Sequence, residues 1–179
     1  RLVGSEMCIR DRAPVVGLYS DMNPYPGDAW LYYGGYMIMI TDYATDIGYS
    51  TAAGDPTKLS NMTYDASNRY FSNNWRDMYN VVSNANTILD NVDAVNISEE
   101  KKNLVKGQAK FLRAMAYRDL TDAWGAVPFI TSLVKNPFTM NDATLTPVSE
   151  IEATLISDLK ECINLLPACL LYTSPSPRD

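Results

Sequence analysis

GQAKFLRAMAYRDLTDAWGAVP, residues 107–128, decides the fold. Read as a helix, it sets Phe111, Leu112, Met115, Ala116, Leu120 and Trp124 along one apolar stripe at spacings of three and four, the period of a helix that buries one face. Arg113 sits within that stripe, between Leu112 and Ala114 and near Tyr117. The stretch stops abruptly at a Trp124-Gly125 turn followed by Val127-Pro128. Arg113 is therefore expected to be buried, its forked guanidinium paired with a carboxylate or with helix-end carbonyls, and Asp46 and Asp119 are the candidate partners.

Working outward, Ser98 is placed to cap this helix, with Glu99 and Glu100 in the first turn at the positive end of the dipole. Upstream, Trp75, Tyr79, Val82, Asn86 and Leu89 form a second helical stripe, joined to the first by a short link, so the two make an antiparallel helical hairpin. Asn86 is the polar member of that stripe and is expected to bridge a neighbouring backbone group, because an unpaired buried amide costs about 1–3 kcal/mol. Downstream, 136–145 reads as an irregular polar stretch. Thr146 and Pro147 are expected to open a last helix as its cap and first residue, with Val148, Ile151, Leu155, Leu159, Cys162 and Leu166 on one face. Toward the start, Val15 to Met22 is a short apolar segment broken by Pro24 and Pro26. A further helix is expected from about Tyr36 to Thr45, followed by an irregular loop over 46–60 with a turn at Gly54-Asp55-Pro56. The pattern is all-α: helical hairpins separated by long irregular loops. Trp75, Tyr79, Phe111 and Trp124 fall on the helical stripes and are read as core.

The two ends have neither a helical nor a strand period. One back-translation of Cys169–Asp179, reverse-complemented and read in another frame, gives Leu2 to Asp11, so both ends are compatible with one DNA element translated from its two strands. Residues 1–12 and 169–179 are accordingly read as adapter-like tails and 13–168 as the native segment, long enough for one domain with a core. The formal net charge is −6 and histidine is absent. An acidic balance argues against a nucleic-acid partner, which needs a basic footprint. Lacking histidine, the chain lacks the commonest general base and metal ligand. Of the three cysteines, Cys8 and Cys169 lie in the tails, and Cys162 reads as a small core residue. No cofactor or metal site is indicated. No apolar run reaches the ~18–20 residues a membrane-spanning helix needs.

The order Trp75-x3-Tyr79-x5-Ala85-Asn86-x2-Leu89, Gly107 to Ala114, Tyr117-x2-Leu120, Trp124-Gly125-x2-Pro128 and Asp158-Leu159 resembles the SusD/RagB family, and Thr45-Asp46 is similar to that family's step after an early helix. Gln108 stands where the family usually has Glu, and Arg118 where an aromatic is common. The resemblance implies a fold of TPR-like helix pairs with loops that carry ligand contacts. It also implies a non-catalytic, surface-exposed outer-membrane lipoprotein that captures glycans and hands them to a SusC-type TonB-dependent transporter. Family members are several times longer, so the chain looks like an N-terminal piece whose lipid anchor and remaining binding surface lie elsewhere.

Sugar-binding aromatics offer an apolar face to the ring while carboxylates, amides and hydroxyls bond its hydroxyl groups. Tyr49, Thr51, Asp55 and Lys58 have that chemistry and follow the Thr-Asp step, which makes them the candidate ligand contacts. Asp46, Trp75, Tyr79, Asn86, Phe111, Arg113, Tyr117, Trp124, Gly125 and Pro128 are the structural signature. Two other readings stay open. One is a TPR-like protein-interaction scaffold without sugar binding, although no sustained repeat of ~34 residues is visible. The other is a hydrolase using Asp42 and Asp46, although a helix-end anchor accounts better for that spacing and no acid/base environment is evident.

Overall fold

A computed structural model of the chain describes residues 15–22, 40–134 and 144–167. Helix α1 spans 15–22 and buries Val15, Leu18 and Met22. After it come α2 (Asp55–Ser60), α3 (Arg69–Asn91), a 3-10 turn (Val92–Ala94) and α4 (Glu99–Trp124). A two-residue strand β1 (Val127–Pro128) then pairs antiparallel with β2 (Leu145–Thr146), ahead of α5 (Val148–Leu165).

The expected hairpin is formed by α3 and α4. The Asn68 side chain accepts the Tyr70 amide to start α3, and Ser98 accepts the Lys101 amide at 3.4 Å to start α4. These bonds satisfy two of the amide donors that every helix start leaves without an intrahelical partner. From Leu112 to Thr121, α4 is buried on more than one face, because α3 packs on one side of it and α5 on the other. Met78, Val81, Val82 and Ala85 of α3 meet Leu112, Ala116, Tyr117 and Leu120 of α4 and Ile151 and Leu155 of α5 in one cluster. Burying each large side chain of this set contributes about 1.5–3 kcal/mol. Helix α5 crosses α4 closely at Gly107: a Cβ there would meet the Leu166 side chain at 2.8 Å, and the Cys162 thiol donates to the Gly107 carbonyl at 3.3 Å. Cys162 is a buried core residue, as expected.

Several expectations are corrected. The early helix ends at Thr41, its residues before 40 lying outside the described set. The chain turns at Asp42 because its carbonyl accepts both the Thr45 hydroxyl at 2.6 Å and the Thr45 amide. Gly54-Asp55-Pro56 opens a short helix instead of an isolated turn: Pro56 has its φ fixed for a first turn, Asp55 lies at the positive end, and Leu59 is buried against Tyr70. Thr146 does not cap α5. It is held in the strand pair with Val127, and Pro147 takes the cap position with no side-chain bond. Of the polar stretch at 136–145, residues 136–143 lie outside the described set.

Phe111 is not core. It is 40% exposed, on a flank of α4 that neither α3 nor α5 fully covers.

Candidate functional site

At the end of α4, Gly125 adopts φ 72°, ψ −125° and donates its amide to the Thr121 carbonyl. That backbone region is accessible almost only to glycine. The turn sends 127–133 back across the α3–α4 hairpin as a strap, and the signature residues hold it there. The Tyr79 hydroxyl donates to the Pro128 carbonyl at 2.7 Å. The Tyr117 hydroxyl accepts the Ile130 amide at 2.7 Å and donates to its carbonyl at 3.0 Å. Asn86 donates to the carbonyls of Ile130 and Ser132, which is the backbone bridge its place on the stripe called for. The Leu133 amide donates to Asp90 at 2.7 Å, and Phe129 packs edge-on against Tyr117 with centroids 4.8 Å apart. Burial pushes the Tyr117 phenol up to about 12, against the pull of the Ile130 amide and Arg113. Burial also raises Tyr79. Both therefore stay protonated donors at neutral pH.

Arg113 is buried, as expected, but its carboxylate is neither Asp46 nor Asp119. One terminal nitrogen donates to Asn86 Oδ1 at 2.7 Å and to the Thr131 carbonyl at 3.1 Å, and the other donates to Asp158 Oδ2 at 2.6 Å. Asp119 sits six residues on, roughly 120° round the same helix, and pairs with Arg118. Asp46 is exposed in the turn after Thr45. Lys110 adds a contact to the second Asp158 oxygen at 3.0 Å and another to Glu161. Burial acts to raise the Asp158 carboxyl, yet the bonds from Arg113 and Lys110 outweigh it and hold the carboxyl below the ordinary range. The cluster ties α3, α4, α5 and the strap together, so its chemistry is used up internally.

The candidate ligand residues lie on α2 and on the loop before it, outside the Arg113 cluster. Tyr49 is 72% exposed, and Thr51 is exposed as well. Asp55 and Lys58 meet as an ion pair at 3.6 Å along α2. Asp55 also accepts the Arg69 amide at 3.4 Å, which docks α2 onto the start of α3. The loop bearing Tyr49 and Thr51 is fixed to α2 by the Ser50 amide donating to the Ser60 hydroxyl at 3.0 Å. Asp42 and Asp46 are exposed turn residues, and no group of three or more His, Cys, Asp or Glu placed to hold a metal occurs among the described residues.

Grooves open on the described surface. One, of about 390 Å³, is lined by Tyr64, Phe71, Trp75 and Trp124 with Asp65, Ala66 and Ser72. Trp75 and Trp124, read as core, turn one side to the core and the other to this groove. A sequence cue exists, since Phe71 and Trp75 are one helical turn apart, but Trp124 arrives only through the fold. The second groove, of about 540 Å³, is lined by Phe111, Leu159, Cys162, Ile163, Leu166 and Pro167. No helix of the described residues is long and apolar enough to cross a membrane.

Architecture and surface together define a helical-pair scaffold that displays loops and an aromatic groove. A family model described as "Starch-binding associating with outer membrane" (SusD-like) matches residues 35–178. The chain belongs to this SusD-like family. It is 30% identical over 122 residues to SusD-like protein P2 of Formosa agariphila, covering 68% of this chain and 24% of that protein. Against SusD-like protein P25 of the same organism it is 38% identical over 93 residues, covering 50% of this chain and 17% of that protein. A SusD superfamily protein from Bacteroides vulgatus superposes with a TM-score of 0.74 at 20% identity, covering 89% of this chain and 34% of the other. A laminarin-binding SusD-like protein superposes at 0.71 with 23% identity, covering 88% and 34%. At these identities the structural likeness shows the fold. The chain thus spans about a quarter of the first relative and a third of these solved neighbours.

Proposed function

We propose that this chain is the N-terminal part of a non-catalytic glycan-capture protein on the outer face of the bacterial outer membrane, held there by a lipid on an upstream cysteine. The whole protein binds oligosaccharide or polysaccharide and passes it to a SusC-type TonB-dependent transporter. The observation that carries this reading is the match of residues 35–178 to a family described as starch-binding and outer-membrane-associated. Exposed Tyr49 and Thr51, on the loop tied to α2, with Asp55 and Lys58 on that helix, are its proposed ligand contacts. An exposed tyrosine ring can stack on a sugar, and a carboxylate and an ammonium can bond its hydroxyls.

Recovery of the complete gene tests the setting: a lipoprotein signal upstream and a transporter gene alongside are expected, and a complete gene lacking both would overturn it. The complete protein incubated with a polysaccharide it binds is expected to release no reducing ends. Release that disappears in an Asp42→Asn, Asp46→Asn variant would establish a hydrolase instead.

A further inference from the structure

We infer that the groove between the start of α3 and the end of α4 is a second subsite for uncharged glycan, separate from the Tyr49 loop. This rests on the glycan-binding reading above and says where on the chain a further ring is held. Two aromatic pairs face the same opening. Tyr64 and Phe71 lie with centroids 5.1 Å apart at 50°, and Trp75 and Trp124 lie 5.4 Å apart, edge to face at 78°. Their tilts leave ring faces turned in more than one direction, the surface on which the C–H face of a pyranose packs. Polar groups sit among the rings. The Asp65 carboxylate is held in place by the Ser67 amide at 2.8 Å and the Ser67 hydroxyl, and Ser72, whose hydroxyl donates to the Arg69 carbonyl at 3.3 Å, lines the same wall. A fixed carboxylate accepts sugar hydroxyls without first having to be ordered. At about 390 Å³ the opening falls in the range of small-molecule sites, about 300–1,000 Å³.

The larger groove on α5 provides the contrast. Its lining of Phe111, Leu159, Cys162, Ile163, Leu166 and Pro167 has no carboxylate, amide side chain or hydroxyl, so a sugar buried there would leave its hydroxyls unpaired. The carboxylate of Asp65 and the net charge of −6 disfavour a uronic or sulfated glycan through like-charge repulsion.

The test uses the complete protein and hydroxyl-radical footprinting with and without maltoheptaose, laminariheptaose or an alginate oligosaccharide, alongside calorimetry of Tyr64→Ala and Tyr64→Phe. A neutral oligosaccharide is expected to protect Tyr64 and Trp124 from labelling. Tyr64→Ala should weaken its binding about five- to tenfold and Tyr64→Phe should leave it near the parent, because stacking needs the ring and not the hydroxyl. Protection of Tyr49 alone, or equal affinity in parent and Tyr64→Ala, overturns the subsite while glycan binding stands. Protection of Tyr64 by the alginate oligosaccharide alone overturns the restriction to uncharged ligands. Binding of no oligosaccharide in either arm overturns the glycan reading itself, and this inference with it.

Discussion

Arg113 bonds to three separate parts of the chain: Asn86 on α3, Thr131 on the strap and Asp158 on α5. Lysine keeps the charge but has one nitrogen where arginine uses two here, so it cannot serve Asn86 and Asp158 in the same geometry. Arg113→Lys is expected to cost about 1–3 kcal/mol, read as a lower urea midpoint, and an unchanged melting temperature would refute the assigned role. Because Asp158 titrates below its unfolded value of about 3.9, its pairing stabilises the fold above that pH and is lost as pH falls through the folded value. The stability advantage of the parent over Asp158→Asn should therefore shrink as pH drops below about 4. An advantage that stays constant down to pH 2 would contradict the pairing. The burial of Arg113 was legible in the sequence because apolar residues surround it at helical spacing. Its partner was not: periodicity shows which face of α4 is buried but not which later helix lies on it, and Asp158 is 45 residues away.

The elements were legible in proportion to their length. Helices α3, α4 and α5 carry several turns of apolar period, and all three are present, whereas α2 has only six residues, too few for a period, and its sequence reads as loop. The Trp124-Gly125 break was visible as chemistry, and the structure supplies its purpose: it launches the strap that Tyr79, Asn86, Arg113 and Tyr117 hold. Gly125→Ala is expected to destabilise by about 1–3 kcal/mol through backbone strain alone, since nothing lies within 4 Å of a Cβ at that position. Loss of stability with intact helicity by circular dichroism would fit, and a neutral substitution would show that the turn does not need glycine. Phe111 was misplaced because a stripe drawn on a helix is wider than the area its neighbours cover. The aromatic groove was missed for a related reason: Trp75 and Trp124 read as core from either helix alone, and only their meeting shows a wall with an open side.

At the scale of the molecule, the described residues leave an open apolar surface along α5 and the adjoining flank of α4. Ile163 is 76% exposed, Ile156 53% and Phe111 40%, all along α5 and the adjoining flank of α4. An apolar surface of that kind favours association, and the solved neighbours are about three times as long as the part matched here. The isolated chain is expected to self-associate and to melt broadly, with Ile163→Lys reducing association at unchanged helix content. A monomeric parent with a sharp cooperative transition would contradict this. Family and fold were legible in part because four of the signature residues, Tyr79, Asn86, Arg113 and Tyr117, hold the strap. Ligand contacts are set by exposed loops, whose positions follow from packing and leave no period to read. The most direct test of glycan capture is binding of the complete protein to a glycan array, confirmed by calorimetry. The account predicts saturable binding to at least one neutral oligosaccharide, weakened by Tyr49→Ala, and the absence of binding across the array would contradict it.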